Sequence, residues 1–154
     1  MLNQSVPNFE LESTGAKRFS LSSNIGKNLV VYFYPRDDTP GCTTEGQEFR
    51  DNYDEFIGHN CYIVGISRDS LKSHEKFKTK MSFPFELLSD ADEAVCELFG
   101  VMKMKNMYGK QVRGIERSTF VIDEAGVLIR EWRGVKVPGH VAEVLAFVKS
   151  LKTQ

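Results

Sequence analysis

The stretch Leu29-Val30-Val31-Tyr32-Phe33-Tyr34-Pro35, continuing as Arg36-Asp37-Asp38-Thr39-Pro40-Gly41-Cys42-Thr43-Thr44-Glu45, decides how the chain folds. Leu29 to Tyr34 is an unbroken β-prone apolar run, which predicts a strand buried on both faces at a central position of a sheet. Pro35 stops it. Thr39 has the chemistry of a helix N-cap, Pro40 suits the first helical position, and Glu45 falls in the early turns. Phe49, Tyr53, Phe56 and Ile57 then recur at helical spacing as a core face, and Gly58 ends the helix. Cys42 therefore stands where a buried strand gives way to the first turn of a helix.

Outward from this unit the same two periods repeat. Upstream, Asn8–Leu11 and Arg18–Leu21 alternate polar and apolar around Ser13-Thr14-Gly15, the pattern of a short hairpin. Downstream, Cys61–Ser67 reads as a second buried strand, Ser70–Lys80 as a charged surface helix and Phe85–Leu88 as a third strand. Ala91–Phe99 follows as a short helix ending at Gly100. Residues 101–116 show no clear periodicity and read as a long loop. Thr119–Ile122 and Val127–Trp132 flank the turn sequence Asp123-Glu124-Ala125-Gly126 as a hairpin. Pro138–Leu151 closes the chain as an amphipathic helix with Val141, Val144, Leu145 and Val148 as its stripe. This order predicts an α/β fold with a mixed central sheet flanked by helices and an N-terminal β-hairpin.

The chain has 154 residues, 41% of them hydrophobic and 27% charged. That length and balance fit one globular domain over residues 1–154, with no linker or repeat to divide it. Twenty basic against 21 acidic residues give a net charge of -1, which excludes nucleic-acid binding through bulk positive charge. The N-terminal residues lack the pattern of a signal peptide, and no apolar run approaches the roughly 20 residues of a membrane helix. Three cysteines are too few for a disulfide framework. The expectation is a soluble, cytoplasmic protein of a reducing compartment, without nucleic acid or membrane as partner.

Free amides and a partial positive charge at a helix start favour thiolate over thiol, the environment in which cysteines become reactive. The competing reading of Cys42 is a small buried hydrophobe. The surrounding residues decide between them. Pro35-x-x-x-Thr39-x-x-Cys42 followed by Glu45 resembles the peroxidatic motif of peroxiredoxins. The longer string Phe33 to Thr43 is similar to the branch called bacterioferritin comigratory protein, or PrxQ. Two further blocks agree, Gly109-Lys110 with Gly114 to Asp123, and Leu87-Leu88-Ser89-Asp90 with Val95 to Val101.

The resemblance runs from about Val6 to Leu151. It implies a thioredoxin-like fold, without flavin, haem or metal, and reduction of hydrogen peroxide and organic hydroperoxides to water and alcohols. By the resemblance Cys42 is the attacking thiolate, while Thr39 and the Cys42 amide hold the peroxide oxygens. Pro35 shields the sulfur, Arg117 supplies positive charge, and Glu45 and Gly41 support them. Its implied partners are a hydroperoxide and a thiol reductant, either thioredoxin or glutaredoxin with glutathione, acting on a monomer, with a dimer as alternative. A thiol of pKa about 8.5 is roughly 3% ionised at pH 7, so full ionisation gains at most ~30-fold, about 2 kcal/mol. Enzymes commonly supply about 10⁶-fold or more, so positioning and charge stabilisation must provide the remainder.

The sequence departs from the branch in one respect. The resolving cysteine common there lies five residues after the first, where this chain has Gln47, and the next helix holds none either. Cys61, opening an apolar strand, reads as an inert core thiol. On a helical projection Cys96 points to the flank of its helix, away from the face of Ala94, Val95, Leu98 and Phe99, which leaves it as an accessible bystander or a resolver. The main expectation is a one-cysteine cycle with an external thiol and little unfolding of the Cys42 helix. A redox sensor or chaperone-like protein, oxidised once at Cys42, is the alternative. His59, His74 and His140 lack metal-ligand spacing, and no Cys-x-x-Cys occurs. Asp37 and Asp38 read as partners of the helix dipole, and Lys76, Lys78 and Lys80 as a solvated face. Met102, Met104, Met107 and Tyr108 read as loop packing, or as an apolar collar for bulkier hydroperoxides.

Overall fold

From Asn28 to Phe33 every side chain is buried, with successive residues facing opposite sides of a sheet. The computed structural model describes residues 1–151, so the last three residues of the expected domain lie outside the described residues. In chain order the elements are β1 (Glu10–Ser13), β2 (Lys17–Ser20), β3 (Asn28–Phe33), α1 (Pro40–Asp51), α2 (Tyr53–Gly58), β4 (Cys61–Ser67), α3 (Leu71–Met81) and β5 (Glu86–Ser89). There follow α4 (Ala94–Leu98), β6 (Met102–Met107), β7 (Lys110–Ile115), β8 (Ser118–Ile122), β9 (Leu128–Arg133) and α5 (His140–Ser150). Seven strands make one mixed sheet in the order β2-β1-β5-β4-β3-β8-β9. β3, β4 and β5 run parallel, while β8 lies antiparallel to β3 with Phe33 opposite Ser118.

The pleat sorts the core into two layers. Val31 and Phe33 join Ile66, Leu88, Phe99, Phe120 and Cys96 on one face. Val30, Tyr32 and Tyr34 join Phe49, Phe56, Cys61, Phe77, Leu87 and the α5 stripe on the other, together with Cys42. The N-terminal segment is tied to the turn between β8 and β9, since Ser5 bridges to Val127 and the Val6 amide donates to Gly126 O.

Four expectations are corrected. The helix expected to run to Gly58 breaks at Asn52 (φ -104°, ψ 7°), whose side-chain amide donates to Glu48 O at 2.8 Å. An asparagine that bonds its own backbone competes with helix continuation. The break shifts the helical phase, so Phe56 stays buried while Ile57 is 36% exposed. The short helix begins only at Ala94 because Glu93 adopts a left-handed φ of 66°. Residues 101–116 are no loop: β6 and β7 pair antiparallel as a separate ribbon around Tyr108-Gly109, both at positive φ. Finally, the charged helix is only partly a surface element. Ser70 caps α3, His74, Phe77 and Met81 are buried, and Lys78 and Lys80 are engaged by Glu86 and Asp38.

Candidate active site

The site forms where β3 ends. The Tyr34 amide still donates to Ile66 O, after which Pro35 turns the chain, half-buried, into the segment that leads to α1. Cys42 is the third residue of α1 and is 2% exposed. Pairing of β8 with β3 carries Arg117, the residue before β8, to the same end of the sheet. Its Nη2 donates to Cys42 Sγ at 3.4 Å and its Nη1 to Glu45 Oε1 at 2.7 Å. A Cβ on Gly41 would stand 3.1 Å from Nη2, so the bare glycine lets the guanidinium close on the helix start. Thr39 has the extended backbone of an N-cap but makes no side-chain cap. Its hydroxyl donates to Arg36 O at 2.8 Å, a correction to the expected capping role.

Charge is concentrated and dry here. Burial pushes the Glu45 carboxyl up to about 7, although Arg117 pulls the other way. Glu45 Oε2 has no hydrogen-bond partner among the described residues. Burial also opposes the charge on Arg117, but Glu45 and Cys42 outweigh it and hold the guanidinium above its ordinary range. On the strand beyond, Thr119 Oγ1 and His140 Nε2 share a hydrogen bond of 2.8 Å. Burial lowers His140 to about 4, and its ring meets Trp132 edge-on at 5.8 Å.

Asp37 and Asp38 do not serve as partners of the helix dipole, and this corrects that expectation. Asp37 is buried, accepting from Tyr34 Oη at 2.6 Å and Ser73 Oγ at 2.8 Å and lying 2.7 Å from His74 Nδ1. His74 Nε2 donates to Leu88 O at 3.0 Å. The Asp37 amide donates to Asp69 Oδ2, which also accepts from Ser67 Oγ. The segment before Cys42 is thus moored to α3 and to the end of β4, while Asp38 pairs at the surface with Lys80. Asp37, Asp69 and His74 place three possible metal-ligating atoms within 4.8 Å of one another. Each of the three residues is already committed to these internal hydrogen bonds. Sequence reasoning missed this mooring because its members are distant in the chain. It also missed Lys105, whose Nζ donates to Ile115 O two residues before Arg117.

The other two cysteines lie away from the site. Cys61 is fully buried and burial pushes its thiol up to about 12. Cys96 is 0% exposed, which corrects the expectation of an accessible flank. The helix is only five residues long, and its flank packs into the core layer opposite Cys42 instead of facing water. Burial, then the Asp90 carboxylate, raise the Cys96 thiol. The methionines divide: Met104 and Met107 are exposed and Tyr108 is 98% exposed, so these do not pack as a loop core.

Residues 2–131 match the AhpC/TSA family. Peroxiredoxin Bcp of Xanthomonas campestris is 51% identical, over 91% of this chain and 88% of that protein. Peroxiredoxin Bcp of Bacillus subtilis is 47% identical over 97% and 96%. A solved structure of the Xanthomonas campestris bacterioferritin comigratory protein, described for its alkyl peroxide reduction activity, superposes with a TM-score of 0.88. It is 50% identical and covers 92% of this chain and 90% of its own. With a thioredoxin-like fold and similarity over nearly its full length, the chain belongs to the AhpC/TSA family and, within it, to the Bcp or PrxQ peroxiredoxins, thiol-dependent enzymes that reduce hydroperoxides.

Proposed function

We propose that Cys42 is the peroxidatic nucleophile and that the enzyme cycles on this one cysteine. The observation that carries the reading is the Arg117 guanidinium 3.4 Å from Sγ at the first turn of α1. The thiolate attacks the terminal peroxide oxygen, so that an S–O bond forms as the O–O bond breaks. The leaving alkoxide takes a proton and departs as alcohol, or as water from hydrogen peroxide. Thr39 has its hydroxyl proton committed to Arg36 O, which leaves its oxygen free to accept from the peroxide. The first-turn amide of Cys42 and Arg117 face the charge that builds on the oxygens. Glu45 fixes the guanidinium from behind, Gly41 leaves room for it, and Pro35 shields the sulfur.

The sulfenic acid must then be reduced, and the placement of Cys61 and Cys96 argues for an external thiol. Cys61 pairs with Asn28 at the far end of β3, whereas Cys42 follows the Phe33 end. The strand between spans about 17 Å, against the roughly 4.4–6.8 Å between Cα atoms that a disulfide requires. Cys96 is in the core layer on the opposite side of the sheet. One thiol condenses with the sulfenic acid, releasing water and leaving a mixed disulfide, and a second thiol releases Cys42. With no internal disulfide to close, α1 stays folded through the cycle.

We read the reductant as thioredoxin or as glutaredoxin with glutathione. We read the protein as one domain, acting as a monomer in the cytoplasm. No helix among the described residues is long and apolar enough to cross a membrane.

The test is intact mass under non-reducing conditions after one equivalent of hydrogen peroxide, with a sulfenic-acid trap. The expected result is gain of one oxygen, trappable, lost in Cys42→Ser and retained in a Cys61→Ala/Cys96→Ala variant that still turns over with an external thiol. Loss of two hydrogens, or a linked dimer, would overturn the one-cysteine cycle. A single stoichiometric oxidation without turnover would indicate a sensor instead.

A further inference from the structure

The β6–β7 ribbon lies mostly in water, and Lys103, Lys105 and Lys110 share one of its faces. Lys103 and Lys110 are exposed, as lysines on such a ribbon usually are. Lys105 is not. It is half-buried and folds back over Gly114, with Cδ, Cε and Nζ 3.7–3.9 Å from the place a Cβ would occupy there. Its Nζ donates to Ile115 O at 2.6 Å. That carbonyl sits where the ribbon ends and the chain passes through Glu116 to Arg117, with the Glu116 amide held by Val101 O at 2.8 Å.

Turning an ammonium inward, towards a guanidinium, is unfavourable by itself. Burial and the charges of Arg117 and Arg68 hold the Lys105 ammonium below its ordinary range, while Glu116 and Cys42 act in the opposite sense. A side chain free to extend into water adopts this pose only where it gains something. The gain the geometry shows is the Ile115 carbonyl, and the Cys42 thiolate of the proposed reaction acts in the same sense.

We propose that Lys105 is a second positioning cation of the peroxidase site: it ties down the backbone that carries Arg117 and adds to the positive potential at Cys42 Sγ. The proposal rests on the reading of Cys42 as the attacking thiolate. In it, two charges from different elements hold the sulfur, one from the start of β8 and one from the ribbon. The ribbon, outside the main sheet, thereby becomes part of the enzyme's chemistry.

The test uses the full chain and the variants Lys105→Met, Lys105→Arg and Lys103→Met, with thermal melts to match their folding. Alkylation of Cys42 by iodoacetamide is followed against pH, with the modified residue located by peptide mass, and hydrogen peroxide consumption is measured alongside. Lys105→Met is expected to move the alkylation midpoint up by about half to one pH unit and to slow peroxide reduction at pH 7 by roughly three- to ten-fold. Lys105→Arg restores most of both, and Lys103→Met changes neither. An unchanged midpoint in Lys105→Met, no rescue by arginine, or an equal shift in Lys103→Met would make Lys105 only a strut of the ribbon and overturn the proposal. Because alkylation needs no peroxide, that failure is distinct from failure of the Cys42 reading, which would appear as peroxidase activity surviving Cys42→Ser.

Discussion

A buried carboxyl with one oxygen bare is a costly arrangement, and Glu45 holds it beside Arg117. Its folded pKa of about 7 lies above its ordinary 4.5, so the native state grips this proton more tightly than the unfolded chain does. Stability from this source is complete below pH 4.5 and is lost as pH rises through about 7, to the order of 3 kcal/mol. Denaturant melts between pH 4.5 and 7.5 are expected to show that decline, and Glu45→Gln to remove it. The same substitution keeps an oxygen for Arg117 but never presents a carboxylate, so peroxide reduction should lose a pH step near 7. At this scale a local motif and a strand start mark Cys42, Thr39, Arg117 and Glu45 as candidates, and the structure brings Cys42, Arg117 and Glu45 into contact. The burial of Cys96 is not legible in the sequence, because a helical projection says little about a helix of five residues. Asp37 and His74 were unreadable, since their pairing depends on α3 docking beside the segment after β3.

Elements show the same division between local signal and packing. The strands β3, β4 and β8 and the stripe of α5 follow from apolar runs and periodicity alone. In the sequence the β6–β7 ribbon reads as loop because its alternation pairs methionine with lysine and buries neither face deeply, so no apolar rhythm marks it. The α1–α2 break was hidden because one asparagine side chain ends the helix without disturbing the apolar spacing around it. Within α1 the glycine at 46 is equally quiet in sequence, yet an added Cβ would meet Phe83 Cζ at 2.4 Å. That ring cannot move freely, being stacked on Phe85 and edge-on to Phe77, each at 5.0 Å. Gly46→Ala gains roughly 1 kcal/mol of helix propensity and incurs about 1–3 kcal/mol of overpacking. The expected outcome is net destabilisation, read as a lower denaturant midpoint.

For the whole molecule, the α/β class and mixed sheet were legible from element order. The arrangement of the cysteines was not, since it depends on which layer of the sheet each one enters. The sheet separates Cys42 from Cys96, and the length of β3 separates it from Cys61. On the proposed one-cysteine cycle, the molecule stores its oxidising equivalent at one point and hands it to another molecule. The chain's one tryptophan gives that exchange an optical signal. Trp132 touches His140, which is bonded to Thr119, two residues from Arg117. When the proposed thiolate is oxidised and the guanidinium resettles, the movement reaches the indole along β8 and through two side-chain contacts. Intrinsic fluorescence should step once on oxidation and return on reduction, and Trp132→Phe should silence the signal without stopping turnover. Stopped-flow emission alone would then time both halves of the cycle, with no dye or coupled assay.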